Sequence, residues 1–113
     1  MASISASELN LLTFFEGEPK IVDANVPWIY NTALYEHKQS DLSLSFSVAP
    51  SYKDIQIILR LREQILYEMK MLNVDDVIYL DDSGRESLEI KISDKESLWI
   101  CLKPFIYIRQ ESE

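Results

Sequence analysis

The sequence predicts an α+β domain: a mostly antiparallel sheet of about five to six strands with one main helix packed across one face, in the order β-β-β-α-β-β-β. Three observations predict it. Leu42, Leu44, Phe46 and Val48 interleave with Ser43, Ser45 and Ser47, the alternation of a strand with one dry and one wet face. Leu88, Ile90 and Ile92 alternate in the same way with Glu89 and Lys91. Between these runs, residues 51–72 carry apolar side chains at helical spacing.

In chain order, residues 1–8 are small and polar and read as a loose terminus, as do residues 110–113. Leu9 to Phe15 supports two readings. Leu12 and Phe14 alternate as in a strand, whereas Ser7 followed by Leu11, Leu12 and Phe15 caps and fills two helical turns; the extended preference of Thr13, Phe14 and Phe15 favours the strand. Gly17, Pro19 and the stretch from Asp23 to Pro27 turn the chain. Trp28 to Glu36 is apolar on both parities and reads as a strand covered on both sides. Lys38 to Asp41 is a connection of hairpin length.

For the helix, Ser51 offers a cap after Pro50, with Asp54 in the first turn. At about 100° per residue, Ile55, Ile58, Leu59, Leu61, Ile65, Leu66, Met69 and Leu72 fall within an arc of roughly 160°. Asn73 tolerates left-handed backbone and supplies a stop. Arg62 falls inside the apolar arc, where it either snorkels or pairs internally, or contacts an anion or small ligand in a cleft under the helix. Ile57, Tyr67 and Met71 form a thin second stripe that needs a cover, from the N-terminal segment or from another chain.

Val77 to Leu80 is a short strand, Asp81 to Arg85 a turn with Gly84 available for positive φ, and Ser93 to Glu96 a further turn. In the last run, Leu98, Ile100, Leu102, Pro104, Ile106 and Ile108 share one parity, and Trp99, Cys101, Lys103, Phe105, Tyr107 and Arg109 the other. Pro104 marks an edge or a bulge. If the aliphatic parity faces the helix, Trp99, Phe105 and Tyr107 face away from it, either under a second layer closed by the N-terminal segment or as an exposed docking surface.

Size and composition bound the function. A chain of 113 residues makes a single domain, 1–113, with a core that needs no staples. The lone Cys101 excludes an internal disulfide and fits a reducing, cytoplasmic setting. The first residues lack a basic n-region, and no stretch is long and apolar enough to span a membrane. Nineteen acidic against eleven basic residues give a formal charge of −8, which disfavours nucleic acid and anionic lipid and suits a basic protein partner.

Chemistry finds little support. The single His37 sits beside Glu36 and Lys38 at the polar end of a hairpin, and Cys101 lies in an apolar strand, where a thiol is inert. Two glycines, Gly17 and Gly84, make no phosphate-cradling loop, so no cofactor is expected. Asp75, Asp76, Asp81 and Asp82 lack the spacing of a calcium loop, and no metal is expected. The string from Asp82 to Ser87 matches a DSGxxS degradation motif but reads as a turn.

The reading that results is a non-enzymatic, acidic protein-binding domain: an inhibitor, immunity-type or adaptor partner of a more basic protein. Trp99, Phe105 and Tyr107 would be its apolar anchors, with Trp28 and Tyr67 as further interface candidates. A homo-oligomer using the same face, or an anion-binding domain around Arg62, are the alternatives.

Overall fold

The computed structural model describes residues 3–112. Among these, the chain forms one short helix and nine strands in two antiparallel sheets. Helix α1 (Glu8–Phe15) comes first, then β1 (Lys20–Ile21), a 3-10 turn (Trp28–Tyr30), β2 (Ala33–Gln39), β3 (Leu42–Ala49), β4 (Asp54–Leu61) and β5 (Gln64–Met71). These strands make a five-stranded meander in sequence order. The second sheet is the meander β6 (Asp76–Asp82), β7 (Arg85–Ser93), β8 (Glu96–Cys101) and β9 (Tyr107–Ser112).

No helix runs over 51–72. Those residues are the hairpin of β4 and β5, paired from Ile55 opposite Met71 to Leu61 opposite Gln64. The apolar residues that fit a helical arc fit a strand as well: Ile55 and Ile57 are buried on the inner face, while Gln56 and Ile58 share the outer one. Three isoleucines within four residues favour extended backbone, which β-branched side chains prefer. The hairpin turns at Arg62 and Glu63, with Arg62 left-handed at φ 57. Arg62 therefore lies under no helix; its side chain is exposed and 3.4 Å from Asp41. The aliphatic parity of the last run is buried, at Leu98, Ile100 and Leu102, in a core shared by both sheets and α1.

Residues 9–15, leaning toward a strand on propensity, are helical. Ser7 accepts from the Asn10 backbone amide (3.0 Å) while Asn10 Oδ1 accepts from the Ser7 amide (3.0 Å), a reciprocal box that satisfies two otherwise free donors. Glu16 ends the helix at φ 55. Nor are residues 4–7 loose: Ile4 and Ala6 are buried, and the Ala6 amide donates to Val77 O (2.8 Å). Residues 110–112 belong to β9. Glu8 begins α1, and residues 1, 2 and 113 of the two expected loose ends lie outside the described residues. Trp28 to Tyr30 is a 3-10 turn, so the strand there begins later, at Ala33.

Two sheets and α1 enclose one apolar core. Sheet one contributes Tyr35, Leu44, Phe46, Val48, Ile55 and Ile57; sheet two contributes Val77, Leu88, Ile90, Leu98 and Ile100. Helix α1 adds Phe15, which stacks on Tyr35 (5.1 Å between centroids) and Phe46 (5.5 Å), and Phe14, which meets Tyr79 edge-on at 6.4 Å. Two-residue turns join β2–β3, β4–β5, β6–β7 and β7–β8. In the β6–β7 turn Ser83 and Gly84 both take positive φ (54 and 89), the pair of values a type I′ hairpin requires.

Candidate functional site

The second sheet has an outer face whose side chains are partly or fully exposed. Register fixes what stands there. Ile78 pairs with Glu89, Glu89 with Trp99 and Trp99 with Arg109, so these four form one row across the sheet. In the next row toward the β7–β8 turn, Asp76, Lys91, Ser97 and Glu111 are aligned in the same way, and on the other side Cys101 faces Tyr107. The inner face carries Leu88, Ile90, Leu98 and Ile100, all buried, so the alternation that builds the core also presents Trp99 and Tyr107 outward.

Trp99 is partly exposed, with the Arg109 guanidinium 5.6 Å from its ring centroid, within reach of a cation–π contact. Its indole Nε1 is enclosed and has no acceptor among the described residues. Tyr107 is 45% exposed and Phe105, in the β8–β9 connection, 62%. That connection is tied to the first sheet by Gln39, whose side-chain amide donates to Pro104 O (2.8 Å) and accepts from the Ile106 amide (3.0 Å). A Lys103–Glu16 ion pair ties it to the end of α1. Pro104, whose peptide with Lys103 is cis, interrupts the final run, so what reads as one strand is two.

Beside Trp99 a shallow depression of about 180 Å³ is lined by Glu89, Asp94, Glu96 and Glu111 against a single Lys95. Ser97 Oγ donates to Glu89 (3.0 Å), Gln110 to Glu96 (2.6 Å) and Arg109 Nε to Glu111 (3.2 Å), so three of the four carboxylates are held in place. Sequence reading singled out the aromatic residues and missed this acidic rim. The signal for Glu89 was present, since its parity opposes that of Leu88 and Ile90; Asp94, Glu96 and Glu111 come together only through pairing.

The other candidates lie elsewhere. Trp28 packs against the core and donates from Nε1 to the Tyr35 hydroxyl (3.1 Å), a structural role. Burial pushes that hydroxyl's pKa up to about 12, against the lowering effect of the Trp28 bond. Tyr67 also packs on the core, its hydroxyl 3.1 Å from Met69 Sδ. Arg62 stands in an exposed turn among Asp41, Leu61, Glu63 and Gln64. His37, on β2, has its pKa lowered by burial. Among the described residues no three His, Cys, Asp or Glu side chains gather where a metal is held, and no helix is long and apolar enough to cross a membrane.

No family model and no curated protein matches the chain. Among solved structures it is similar to a chain of a contact-dependent growth inhibition toxin–immunity protein complex from Klebsiella pneumoniae 342, with 26% identity, a TM-score of 0.80, and coverage of 95% of this chain and 94% of that one.

Proposed function

We propose that this chain is a non-enzymatic protein-binding domain of the immunity type, which holds and neutralises a more basic toxin. The observation that carries the reading is the near end-to-end likeness to a chain of a toxin–immunity protein complex. Of the two kinds of protein in such a complex, the immunity kind is the one this chain's chemistry fits. A toxin enzyme needs a reactive constellation, whereas the single histidine here pairs across the sheet with Leu44, with no second catalytic group placed beside it by any observed contact. The net charge of −8 suits the capture of a basic partner by electrostatic steering.

In this reading Phe105, Tyr107 and Trp99 supply the apolar anchors, and Glu89, Asp94, Glu96 and Glu111 meet lysines or arginines of the partner. The cation–π contact with Arg109 holds the Trp99 ring in place before the partner arrives. The test is capture from the source cells with the wild-type chain and with a Phe105→Ala/Tyr107→Ala variant. The partner retained by wild type alone, expressed by itself, should arrest growth, and co-expression of this chain should restore it. A retained partner that is harmless on its own would overturn the reading.

A further inference from the structure

We infer that the β5 edge of the first sheet pairs with the β5 of a second copy, joining two five-stranded sheets across a two-fold axis at Met69. β5 is the last strand of its sheet, and no backbone hydrogen bond among the described residues reaches its outer edge. The other edges are blunted. β1 has two residues; β6 is met by the Ala6 amide at Val77 O and by Ser5 at the Asp76 carboxylate; β9 has six residues and follows Pro104. By contrast β5 is eight residues long, free of proline, and flanked by apolar side chains open to solvent, Leu66 (52% exposed) and Leu72 (66%). A long, apolar, unpaired edge is a template for another strand.

The side-chain order selects a second copy as the occupant, and it selects one register. Tyr67, Met69 and Met71 point toward the core side, Glu68 and Lys70 to the opposite face. In an antiparallel self-pair centred on Met69, Glu68 stands opposite Lys70 of the second copy and Lys70 opposite its Glu68, while Tyr67 meets Met71. Each pair is of one face and of complementary chemistry. Moving the axis to Glu68 or Lys70 sets like charges directly opposite each other. Moving it by half a residue puts core-face side chains opposite outer-face ones. Leu66 is the extra residue of a bulge, between the pairs Leu59–Tyr67 and Arg60–Ile65, so the regular ladder runs from Tyr67 to Met71 and the pairing stretch is 67–71. This interface is separate from the Trp99–Tyr107 face, leaves that face open on both copies, and does not depend on the immunity-type reading.

Light scattering of the wild-type chain at tens of micromolar should give about 26 kDa, twice the 13.2 kDa of one copy. Two-fold symmetry makes each charge reversal act twice. Glu68→Lys and Lys70→Glu should each weaken the dimer at least tenfold, and the Glu68→Lys/Lys70→Glu double variant should restore it. Both side chains are exposed, so circular dichroism and thermal melting should show every variant folded. A wild-type monomer at several hundred micromolar, single variants that dimerise like wild type, or a double variant that stays monomeric would each overturn the inference.

Discussion

The side-chain amide of Gln39 grips the backbone beside Phe105, donating to Pro104 O at 2.8 Å and accepting from the Ile106 amide at 3.0 Å. One side chain at the end of β2 thus does for the β8–β9 connection what a paired strand would do: it satisfies one carbonyl and one amide two residues apart. Phe105 sits between them. The loop that carries Phe105 is tied down in the free chain, and under the proposed function this lowers the ordering cost of association.

Replacing Gln39 by Ala should therefore weaken partner binding by about fivefold, the effect of losing roughly 1 kcal/mol of hydrogen bonding at a pre-ordered loop. The melting temperature should fall by only a few degrees, since the bonds lie near the surface. Calorimetric titration against the captured partner, alongside thermal melting, separates the two effects. Unchanged affinity would mean that the loop takes no part in docking.

Phe105→Ala should cost about 2 kcal/mol of affinity, roughly thirtyfold, if its ring is a buried anchor in the complex, and should leave folding stability within about 0.5 kcal/mol because the ring is exposed in the free chain. Affinity of the wild type should also fall as salt rises from about 50 to 500 mM, mostly through a slower on-rate, because the acidic rim acts at long range. Surface plasmon resonance at several ionic strengths reads both. A salt-independent on-rate would remove the electrostatic half of the mechanism.

Phe15→Ala opens a void between α1 and the ring pair of Tyr35 and Phe46, and is expected to destabilise the fold by about 3–5 kcal/mol. Against a total stability of about 5–15 kcal/mol, that loss places the variant near its unfolding threshold at 37 °C. Urea unfolding followed by tryptophan fluorescence gives the number. A loss below about 1 kcal/mol would show that the helix does not plug the core.

Stability should be greatest near neutral pH and fall on both sides. On the acid side, burial raises the Asp76 pKa, but the hydrogen bonds from Ser5 and Val77 and the Lys53 charge outweigh it and hold the carboxyl below its ordinary value. Its contribution is present above the unfolded carboxylate pKa, about 3.9, and is lost as pH falls through the lower folded value. His37, lowered by burial, works in the same direction from about pH 6.5 downward, because the unfolded chain binds the proton more readily. On the alkaline side burial raises Tyr35 to about 12, and a 2.5 Å hydrogen bond to Glu86 raises Tyr79 to about 12. Both contributions are present below the unfolded tyrosine pKa, about 10, and are lost as pH climbs toward 12. Tyr79→Phe should flatten the alkaline limb of urea midpoints measured from pH 8 to 11.5. An unaltered limb would rule Tyr79 out as its source.

The parts of the fold legible in the sequence are those where period two has no rival. Ser43, Ser45 and Ser47 between Leu42, Leu44, Phe46 and Val48 admit no helix, and β3 spans Leu42–Ala49. Leu88 to Ile92 lies within β7 for the same reason, and the separate parity of Trp99 and Tyr107 put both on the face opposite the buried Leu98 and Ile100. Residues 51–72 went the other way because Ile58 on the outer face of β4 and Ile65 and Leu66 around the β5 bulge break the alternation, and the turn between them hides itself. Hairpin turns usually declare themselves with glycine or asparagine, which take positive φ at little cost, but here Arg62 takes it, as Ser40 does in the β2–β3 turn. With no break visible between Leu61 and Gln64, two strands of eight residues looked like one long amphipathic segment. The acidic rim was hidden for another reason: Asp94 and Glu111 are neighbours only because β7, β8 and β9 pair in one particular register.

Helix α1 leaves the ribosome before any of the strands that seat it. Its aromatic pair must wait for Tyr35 and Phe46 and, on the other side, for Tyr79, more than sixty positions downstream. Until β6 emerges, Phe14 lacks the Tyr79 ring it meets in the fold, so a polypeptide stalled or cleaved midway would be a sticky fragment and a ready target for chaperones and proteases.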